Sequence, residues 1–393
     1  MMKFTIYAKV LKEMIEKAAT TIDKKSVLES LKRLYMQIDE NETLRIWSSD
    51  LNHYVEIRNN SVYLTSPGIV GIDIDDIKII TKMTGEVTIE DVSTENERKI
   101  NIICGKKTVS IPGYGNTDIF LPDMDDTEMK MLNVKENWLL DTITNLSTFT
   151  SDDGCSKMLM VFNFNTKDKR VEALDGRMIG MRSLESQTVY TVSDNRFDTV
   201  KLHKMCTPAF KKLLDKKSER EVIISQDKKY VKVEGDDFTY IIRRIDGEYF
   251  NVESSLNIPE RFRYIANREN FLEVMKYNDD LIKTSKCDRG YVIMHTENNI
   301  MYSYINTGKY EALDELEVKE NTMNDELYIG YNPKFLVDVF NIIDSDEPVC
   351  IGKDRVSPLI ITGNEYSFLI LPVYVNNSSS LMKFKEKLNK EVA

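Results

Sequence analysis

The sequence predicts an α+β protein made of three copies of one repeat, each with two helices and many short strands. Three observations carry that reading. Helix signatures recur at a spacing of about 130 residues, each signature is followed by short runs of alternating polarity, and the 41% apolar content is that of a chain with ordinary cores. A length of 393 residues fits two or three domains at roughly 150 residues each.

In the second half of each repeat, residues 73–83 (DIDDIKIITKM) read as a helix with Asp73 as N-cap, followed by the runs EVTIEDV, RKINIIC and TVSIPGY. Residues 207–217 (TPAFKKLLDKK) read as a helix capped by Thr207 with Pro208 in the first turn, followed by EVIISQD, YVKVEGD and FTYIIRR. Residues 332–343 (NPKFLVDVFNII) repeat this with Asn332 and Pro333, before PVCIGKD, PLIITGN and EYSFLILPVYV. The first halves agree. Helices over 8–20, 136–148 and 268–283 each precede three strand-like runs: LYMQID, TLRIWSSD and HYVEI; MLMVFNF, RVEALDG and MIGMRS; GYVIMHT, IMYSYIN and YEALDEL. Helices follow from 3.6-residue apolar spacing, strands from period-2 alternation enriched in Val, Ile, Tyr and Thr. The repeat lies in the order of elements, not in matched letters. It divides the chain into domains at 1–127, 128–253 and 254–376, with a Ser-linked basic tail at 377–393.

Composition excludes several classes. With 16 Gly and 9 Pro, collagen-like and low-complexity readings fall away. The charge balance of 64 acids against 53 bases, net −11, is the wrong sign for a protein that coats nucleic acid with a uniformly basic surface. Five scattered cysteines (Cys104, Cys155, Cys206, Cys287, Cys350) contain no CxxC pair, so neither a disulfide framework nor a zinc site fits. The N-terminus lacks the apolar run of a secretory signal, and no stretch approaches the ~20 apolar residues that span a bilayer. A soluble, cytosolic protein with no membrane partner is expected.

The chain carries no P-loop, HExxH or GxSxG, and its one Gly-x-Gly (Gly113, Gly115) lacks the third glycine and the following helix. His53, His203 and His295 are too spread for a metal site and read as structural or surface residues. The acid groups Asp73, Asp75, Asp76 and Asp123, Asp125, Asp126 offer carboxylates for a divalent metal or for acid–base work. The first group also suits a helix N-terminus, the second a linker. No catalytic residue, metal or cofactor is expected.

The lysines say more. Lys78 and Lys82 stand four apart on one helix face. Lys211, Lys212 and Lys216, with Lys201 and Lys204 upstream, do the same in the middle repeat. The first helix carries Lys9, Lys12 and Lys17, and the third repeat supplies Lys276, Lys283 and Lys334. Basic side chains on corresponding helices would make one positive surface on an acidic protein, one that touches phosphates without reading sequence. Interspersed Glu13, Glu16 and Asp215 equally fit ordinary solvated faces.

Six segments in order, MKFTI, TLRIWSSDLNHYVEI, VEALDGRMIGMRS, RRIDGEYFNVES, ELYIGYNPKFLVDVFNII and SFLILPVYV, resemble the bacterial β sliding clamp family, the processivity subunit of the replicative DNA polymerase III. The resemblance runs from Met2 to about Val375. It implies a non-enzymatic, head-to-tail dimeric ring around double-stranded DNA, cytoplasmic and nucleoid-associated. Its helices line the hole and its sheets form the outer wall. Lys12, Lys25, Lys78, Lys82, Lys201, Lys204, Lys211, Lys212, Lys276 and Lys334 would face DNA.

The resemblance also implies an apolar pocket between the second and third domains. It would take a Gln-Leu-x-Leu-Phe-type peptide from polymerase, clamp loader or repair proteins. One wall maps to Leu174, Gly176, Arg177, Met178 and Ile179, and the linker side to Phe250, Ser254 and Ser255. The other wall maps to Val356, Ser357, Leu369, Ile370, Leu371, Pro372, Val373 and Tyr374. The family's His-Arg after Asp-Gly is Arg177-Met178 here, the proline of its "FPdy" segment is Phe250, and its "lPiL" motif reads Leu28-Glu29-Ser30-Leu31; the resemblance then implies an altered peptide preference. The dimer contact maps to Val109 and Ile111 on one chain, against Leu281 and Ile282 on the other.

The tail reads as a frayed or weakly helical extension. Leu381 and Phe384 stand at the spacing of the peptide's anchors, which raises the alternative that the tail occupies the pocket. Two other functions compete with the clamp: a repeat-built protein-binding scaffold that does not encircle DNA, and a metal-dependent hydrolase with an acidic cleft.

Overall fold

The structure is a computed structural model. It describes residues 1–391 apart from 96, 116–120, 125–128, 153–155, 191–198, 288–289, 324–325 and 376–378. Cys155, Asp125 and Asp126 lie outside the described residues.

The order of elements repeats three times, with four strands between the two helices in the third run where the first two have five. The first run is β1 (Lys3–Tyr7), α1 (Ala8–Ala18), β2 (Arg33–Ile38), β3 (Leu44–Ser49), β4 (His53–Asn59), β5 (Tyr63–Ser66), β6 (Gly68–Asp73), α2 (Ile74–Ile77), β7 (Glu86–Asp91), β8 (Lys99–Cys104) and β9 (Lys107–Pro112). The second is β10 (Met129–Lys135), α3 (Glu136–Leu146), β11 (Val161–Asn165), β12 (Arg170–Leu174), β13 (Met178–Ser183), β14 (Thr188–Val189), β15 (Thr199–His203), α4 (Thr207–Leu213), β16 (Glu221–Gln226), β17 (Tyr230–Glu234) and β18 (Phe238–Arg243). After α5 (Val252–Leu256), the third is β19 (Phe262–Ala266), α6 (Arg268–Ser285), β20 (Val292–Glu297), β21 (Ile300–Asn306), β22 (Glu311–Lys319), β23 (Ile329–Tyr331), α7 (Pro333–Ile342), β24 (Val349–Gly352), β25 (Leu359–Thr362) and β26 (Tyr366–Ile370). Helix α8 (Ser379–Glu391) closes the described chain.

Contacts gather the chain into two compact units. The first comprises Met1–Thr144, Thr166–Asp168 and Glu185–Asp246. It holds one antiparallel sheet in the order β5-β1-β7-β8-β9 and a second in the order β14-β10-β16-β17-β18-β4-β3-β2-β6. The second sheet is continuous because β18 pairs with β4, from Phe238 opposite Ile57 to Ile242 opposite His53. Helix α1 buries Ala8, Leu11, Met14, Ile15 and Ala18, a stripe at i, i+3 and i+4 spacing that faces the core. Helix α4 buries Ala209, Phe210 and Leu213, with Phe210 edge-on to Tyr240 at 5.0 Å. Each of the larger side chains, Leu11, Met14, Ile15, Phe210 and Leu213, contributes on the order of 2 kcal/mol by leaving water.

The second unit comprises Asn145–Asn165, Lys169–Leu184 and Gly247–Ala393. Its strands run β11-β12-β13-β26-β25-β24-β19-β22-β21-β20-β23. Phe149 stacks on Phe368 at 5.1 Å, and Phe271 of α6 on Phe340 of α7 at 4.2 Å.

Caps account for the helix starts and stops. Asp73 accepts from Asp75 N, Asn332 from Lys334 N at 3.0 Å, and Asn267 from Asn270 N at 3.0 Å, each side chain satisfying a backbone donor with no partner inside the helix. Helix α6 ends at Lys286 in the left-handed conformation, φ 56°. Three expectations need correction. The helix over 73–83 is a single α turn at Ile74–Ile77 and a 3₁₀ turn at Ile80–Lys82, because it carries four isoleucines and a threonine, β-branched residues rather than strong helix formers. Thr207 is the first residue of α4 rather than its cap, and the helix stops at Leu213. The tail is helical, as one half of its reading has it, but packed rather than weak or frayed, and it does not occupy a pocket. As α8 it buries Phe384 and Leu388 against Ile293, Tyr302, Tyr304 and Val375.

Arg58 of β4 ties that strand to the β17–β18 turn. Its guanidinium donates to Thr239 Oγ1, to the Gly235 carbonyl at 2.9 Å and to the Phe238 carbonyl at 3.0 Å. Arg58→Met is expected to cost about 2–3 kcal/mol, since it strands buried acceptors as well as losing the bonds. Equilibrium urea unfolding checks this.

Candidate partner-binding groove

A groove of about 370 Å³ opens in the second unit, lined by Leu174, Gly176, Arg177, Met178, Ile179, Phe250, Asn251, Val252, Ser254, Ser255, Pro358, Leu369 and Leu371. It exists because β13 pairs with β26. The register sets Met178 opposite Ile370 and Arg182 opposite Tyr366, and Leu371 N donates to the Arg177 carbonyl at 3.0 Å. Beneath the pair, Gly180 lies so close to Phe149 that an added Cβ would meet its ring at 2.7 Å. Beside it, Arg182 donates through Nε at 3.0 Å and Nη2 at 2.8 Å to Glu365.

The near rim is a tight turn. Asp175 Oδ1 accepts from the Arg177 and Met178 amides, both at 2.8 Å. Gly176 takes φ 90°, a conformation that costs a residue with a Cβ. The Arg177 guanidinium lies 5.3 Å from the Phe335 ring centroid, within cation–π range, and its side chain is 67% exposed. Arg177 is the one charged residue among the lining side chains. Helix α5 supplies the floor through Val252, which clusters with Leu174 and Met181. Asn251 caps α5 by accepting from Ser254 N at 3.2 Å.

Ten of the sequence-derived pocket residues meet here: Leu174, Gly176, Arg177, Met178, Ile179, Phe250, Ser254, Ser255, Leu369 and Leu371. Six do not line the groove. Ile370 is fully buried, because strand alternation turns it away from the face that carries Leu369 and Leu371. Val373 bridges to Gly330, and Pro372 lies between Leu371 and that bridge. Tyr374 is exposed. Val356 and Ser357 sit in a turn where Asp354 accepts both amides, at 3.0 and 2.8 Å; the Val356 amide leads in holding that carboxyl below its usual range. Asn251, Val252 and Pro358 also line the groove; the first two stand in RRIDGEYFNVES beside Phe250 and Ser254, whereas no signal in the sequence points to Pro358.

The lysines fall into three groups. Lys25, Lys82, Lys211, Lys212 and Lys276 are exposed, and Lys204 half-buried. Lys12, Lys78 and Lys334 are exposed but paired: with Glu16 at 3.8 Å, with Asp75 at 2.6 Å and with Asp338 at 2.7 Å. Hydrogen bonds from Lys78 and Lys24 hold the Asp75 carboxyl low, so these acids serve as helix-end partners. Lys201 is the correction. It is buried, its ammonium reaches Thr199 Oγ1 at 3.2 Å, and burial lowers its pKa, so it is not among the exposed lysines. On β9, the edge strand of its sheet, Val109 is half-buried, whereas Ile111 is core. Leu281 and Ile282 are half-buried on α6. Among the described residues no three His, Cys, Asp or Glu side chains converge as metal ligands. No described helix is long and apolar enough to cross a membrane.

No protein-family model matches the chain. Two curated relatives, both named beta sliding clamp, match end to end. That of Pseudomonas aeruginosa is 20% identical over 380 residues, covering 95% of this chain and 100% of the relative. That of Mycoplasma capricolum is 24% identical over 400 residues, covering 96% and 100%. The crystal structure of the Bacillus subtilis DNA polymerase sliding clamp superposes with a TM-score of 0.84 at 17% identity, over 95% of this chain and 99% of that one. Over nearly its whole length the chain has the sliding-clamp fold.

Asp175→Ala removes the acceptor for two amides of the groove rim. A loss of about 1–2 kcal/mol is expected from unpairing them, with faster hydrogen exchange at Arg177 and Met178. Urea unfolding and amide exchange of the full chain check both.

Proposed function

We propose, taking the sliding-clamp fold as premise, that this protein is a replication processivity factor: a DNA polymerase III clamp that encircles duplex DNA without reading sequence and tethers partners through the groove of the second unit. The observation that carries this reading is the groove itself. It is an apolar cleft with few polar groups, built from strand ends far apart in sequence, and it occurs on an end-to-end clamp fold. Such a cleft suits a short peptide whose apolar anchors dominate the binding energy and whose polar atoms set register.

In this reading residues 1–127, 128–253 and 254–376 are three clamp domains, and two chains join head to tail. The β9 edge with Val109 meets α6 with Leu281 and Ile282 of a second copy. An unpaired edge strand is a ready surface for such joining. Topology rather than affinity holds the ring on DNA, and the protein has no catalytic task. The net charge of −11 keeps it from adhering to nucleic acid at large, while Lys25, Lys82, Lys211, Lys212 and Lys276 supply local phosphate contacts that salt screens. It acts in the cytoplasm, with polymerase, clamp loader and repair proteins as partners.

Retention on DNA tests the clamp. Protein loaded on a nicked circle by a bacterial clamp loader with ATP should co-elute with the circle at high salt and leave on linearisation. Equal retention on linear and circular DNA would overturn the reading.

Two further outcomes are expected. Leu371 is 41% exposed, so Leu371→Ser leaves the core intact and should weaken binding of a Gln-Leu-Ser-Leu-Phe peptide by about tenfold, as loss of an interface anchor does; fluorescence polarisation measures it. For binding of the free protein to a short duplex, replacing both Lys211 and Lys212 by Ala should reduce the slope of log affinity against log salt by about 2, as read from a salt titration.

A further inference from the structure

The segment that carries Leu371 out of β26 is fastened at three points. At its start, Leu371 N donates to the Arg177 carbonyl at 3.0 Å. In its middle, Val373 N donates to the Gly330 carbonyl at 2.8 Å. Gly330 permits this contact, because a Cβ there would stand 2.7 Å from the Val373 carbonyl oxygen and closer still to the Val375 side chain. At its far end, Val375 is buried in one cluster with Ile293, Tyr302, Tyr304, Phe384 and Leu388. The last two belong to α8.

Helix α8 therefore supplies part of the anchor for the segment that lines the groove. Its Phe384 ring stacks on Tyr304 at 5.0 Å and meets Tyr328 edge-on at 5.6 Å. Lys387 pairs with Glu311 at 3.4 Å, and Glu311 also accepts from the Tyr304 hydroxyl at 2.6 Å. Lys385 lies 4.7 Å from the Tyr328 ring centroid. The apolar stripe at Leu381, Phe384 and Leu388, spaced i, i+3 and i+7, packs against the sheet, with Phe384 and Leu388 buried and Leu381 partly so.

We propose that α8 is a clasp that holds the Leu371–Val375 segment, so that seating Phe384 and Leu388 on the β20–β21 face keeps the Leu371 wall of the groove in its peptide-accepting position. This rests on the reading of the groove as a peptide site. Ordering a wall before a ligand arrives removes that ordering cost from binding, so release of α8 lowers affinity without touching the groove. The clasp makes the C-terminal helix a control point: whatever draws α8 off the sheet loosens the partner site. Phe384 and Leu388 are positioning residues, since neither lines the groove.

The test uses the full chain with Phe384→Ser and, as the milder change, Leu388→Ala. Two quantities are read: affinity for a labelled Gln-Leu-Ser-Leu-Phe peptide, and amide exchange at Leu371 and Val373 relative to the amides of α7. The expected result is peptide binding weakened about tenfold by Phe384→Ser and less by Leu388→Ala, the size of a lost preorganised state. Exchange at Leu371 and Val373 should quicken, with α7 unchanged. Unchanged affinity overturns the proposal, as does tighter binding, which would make α8 a competitor for the groove. Should Phe384→Ser fail to fold, Leu388→Ala decides on the same two readouts. Should the wild-type protein not bind the peptide, the peptide reading fails by itself, and exchange alone decides the clasp: faster at Leu371 and Val373 supports it, unchanged refutes it.

Discussion

The pairing of β13 with β26 is the constraint on which the second unit depends. It joins Met178–Arg182 to Tyr366–Ile370, two strands nearly half the chain apart, and so closes a long loop whose entropy must be met by the contacts it makes. The contacts are there. Gly180 lets Phe149 lie flush on the pair, Phe149 stacks on Phe368, and Arg182 holds Glu365 at the strand end. Strand alternation then sends Ile370 inward and leaves Leu369 and Leu371 on the groove side. The groove needs no strand of its own; it is what remains where β13 and β26 end and the Asp175 turn, α5 and the Leu371–Val375 segment fill in around them.

The first unit uses the same device for a different end. Its long sheet is continuous only because β18 pairs with β4, and Arg58 reinforces that joint with bonds to Thr239, Gly235 and Phe238. Lysines on its helices are not a bare positive field. Lys12 and Lys78 carry acid partners at i,i+4 or i,i+3 spacing, as Lys334 does in the second unit. Exposed pairs of this kind are worth about 0–1 kcal/mol, so a phosphate can displace the carboxylate at little cost. Under the clamp reading, pairing of this sort tempers the attraction to DNA and suits a protein that must slide.

Much of the fold was legible in the sequence because its signals are local. Asp73 and Asn332 cap helices as their side-chain chemistry requires, and the alternating runs are strands. The misses share a cause: they depend on what lies across from a residue. Lys201 stands in a basic run, yet the strand it belongs to buries it. Ile370 belongs to an apolar stretch whose inner and outer members cannot be told apart until the face is known, and Ile111 shares a strand face with Val109 but lies deeper, a difference set by what covers each. Helix α8, which the sequence leaves between a weakly helical tail and a pocket ligand, belongs with them. Its Leu381, Phe384 and Leu388 spacing fits a helix stripe as well as a peptide anchor, and only the aromatic face of β20 and β21 decides between them. In the groove, resemblance identified the Leu174–Ile179 wall and the Leu369–Leu371 end, while Asn251, Val252 and Pro358 enter through the packing of α5 and a turn. Arg177 reaches the rim because it sits in the turn before β13, where the alternation rule for strands has no hold.

Amide hydrogen exchange of the intact protein, with and without a saturating Gln-Leu-Ser-Leu-Phe peptide, tests the central claim most directly, because it reports where a partner peptide sits. The predicted result is slowed exchange confined to Arg177–Ile179, Asn251–Ser255 and Leu369–Leu371. Protection elsewhere, or none at saturating peptide, would contradict the assignment of the β13–β26 groove as the partner site.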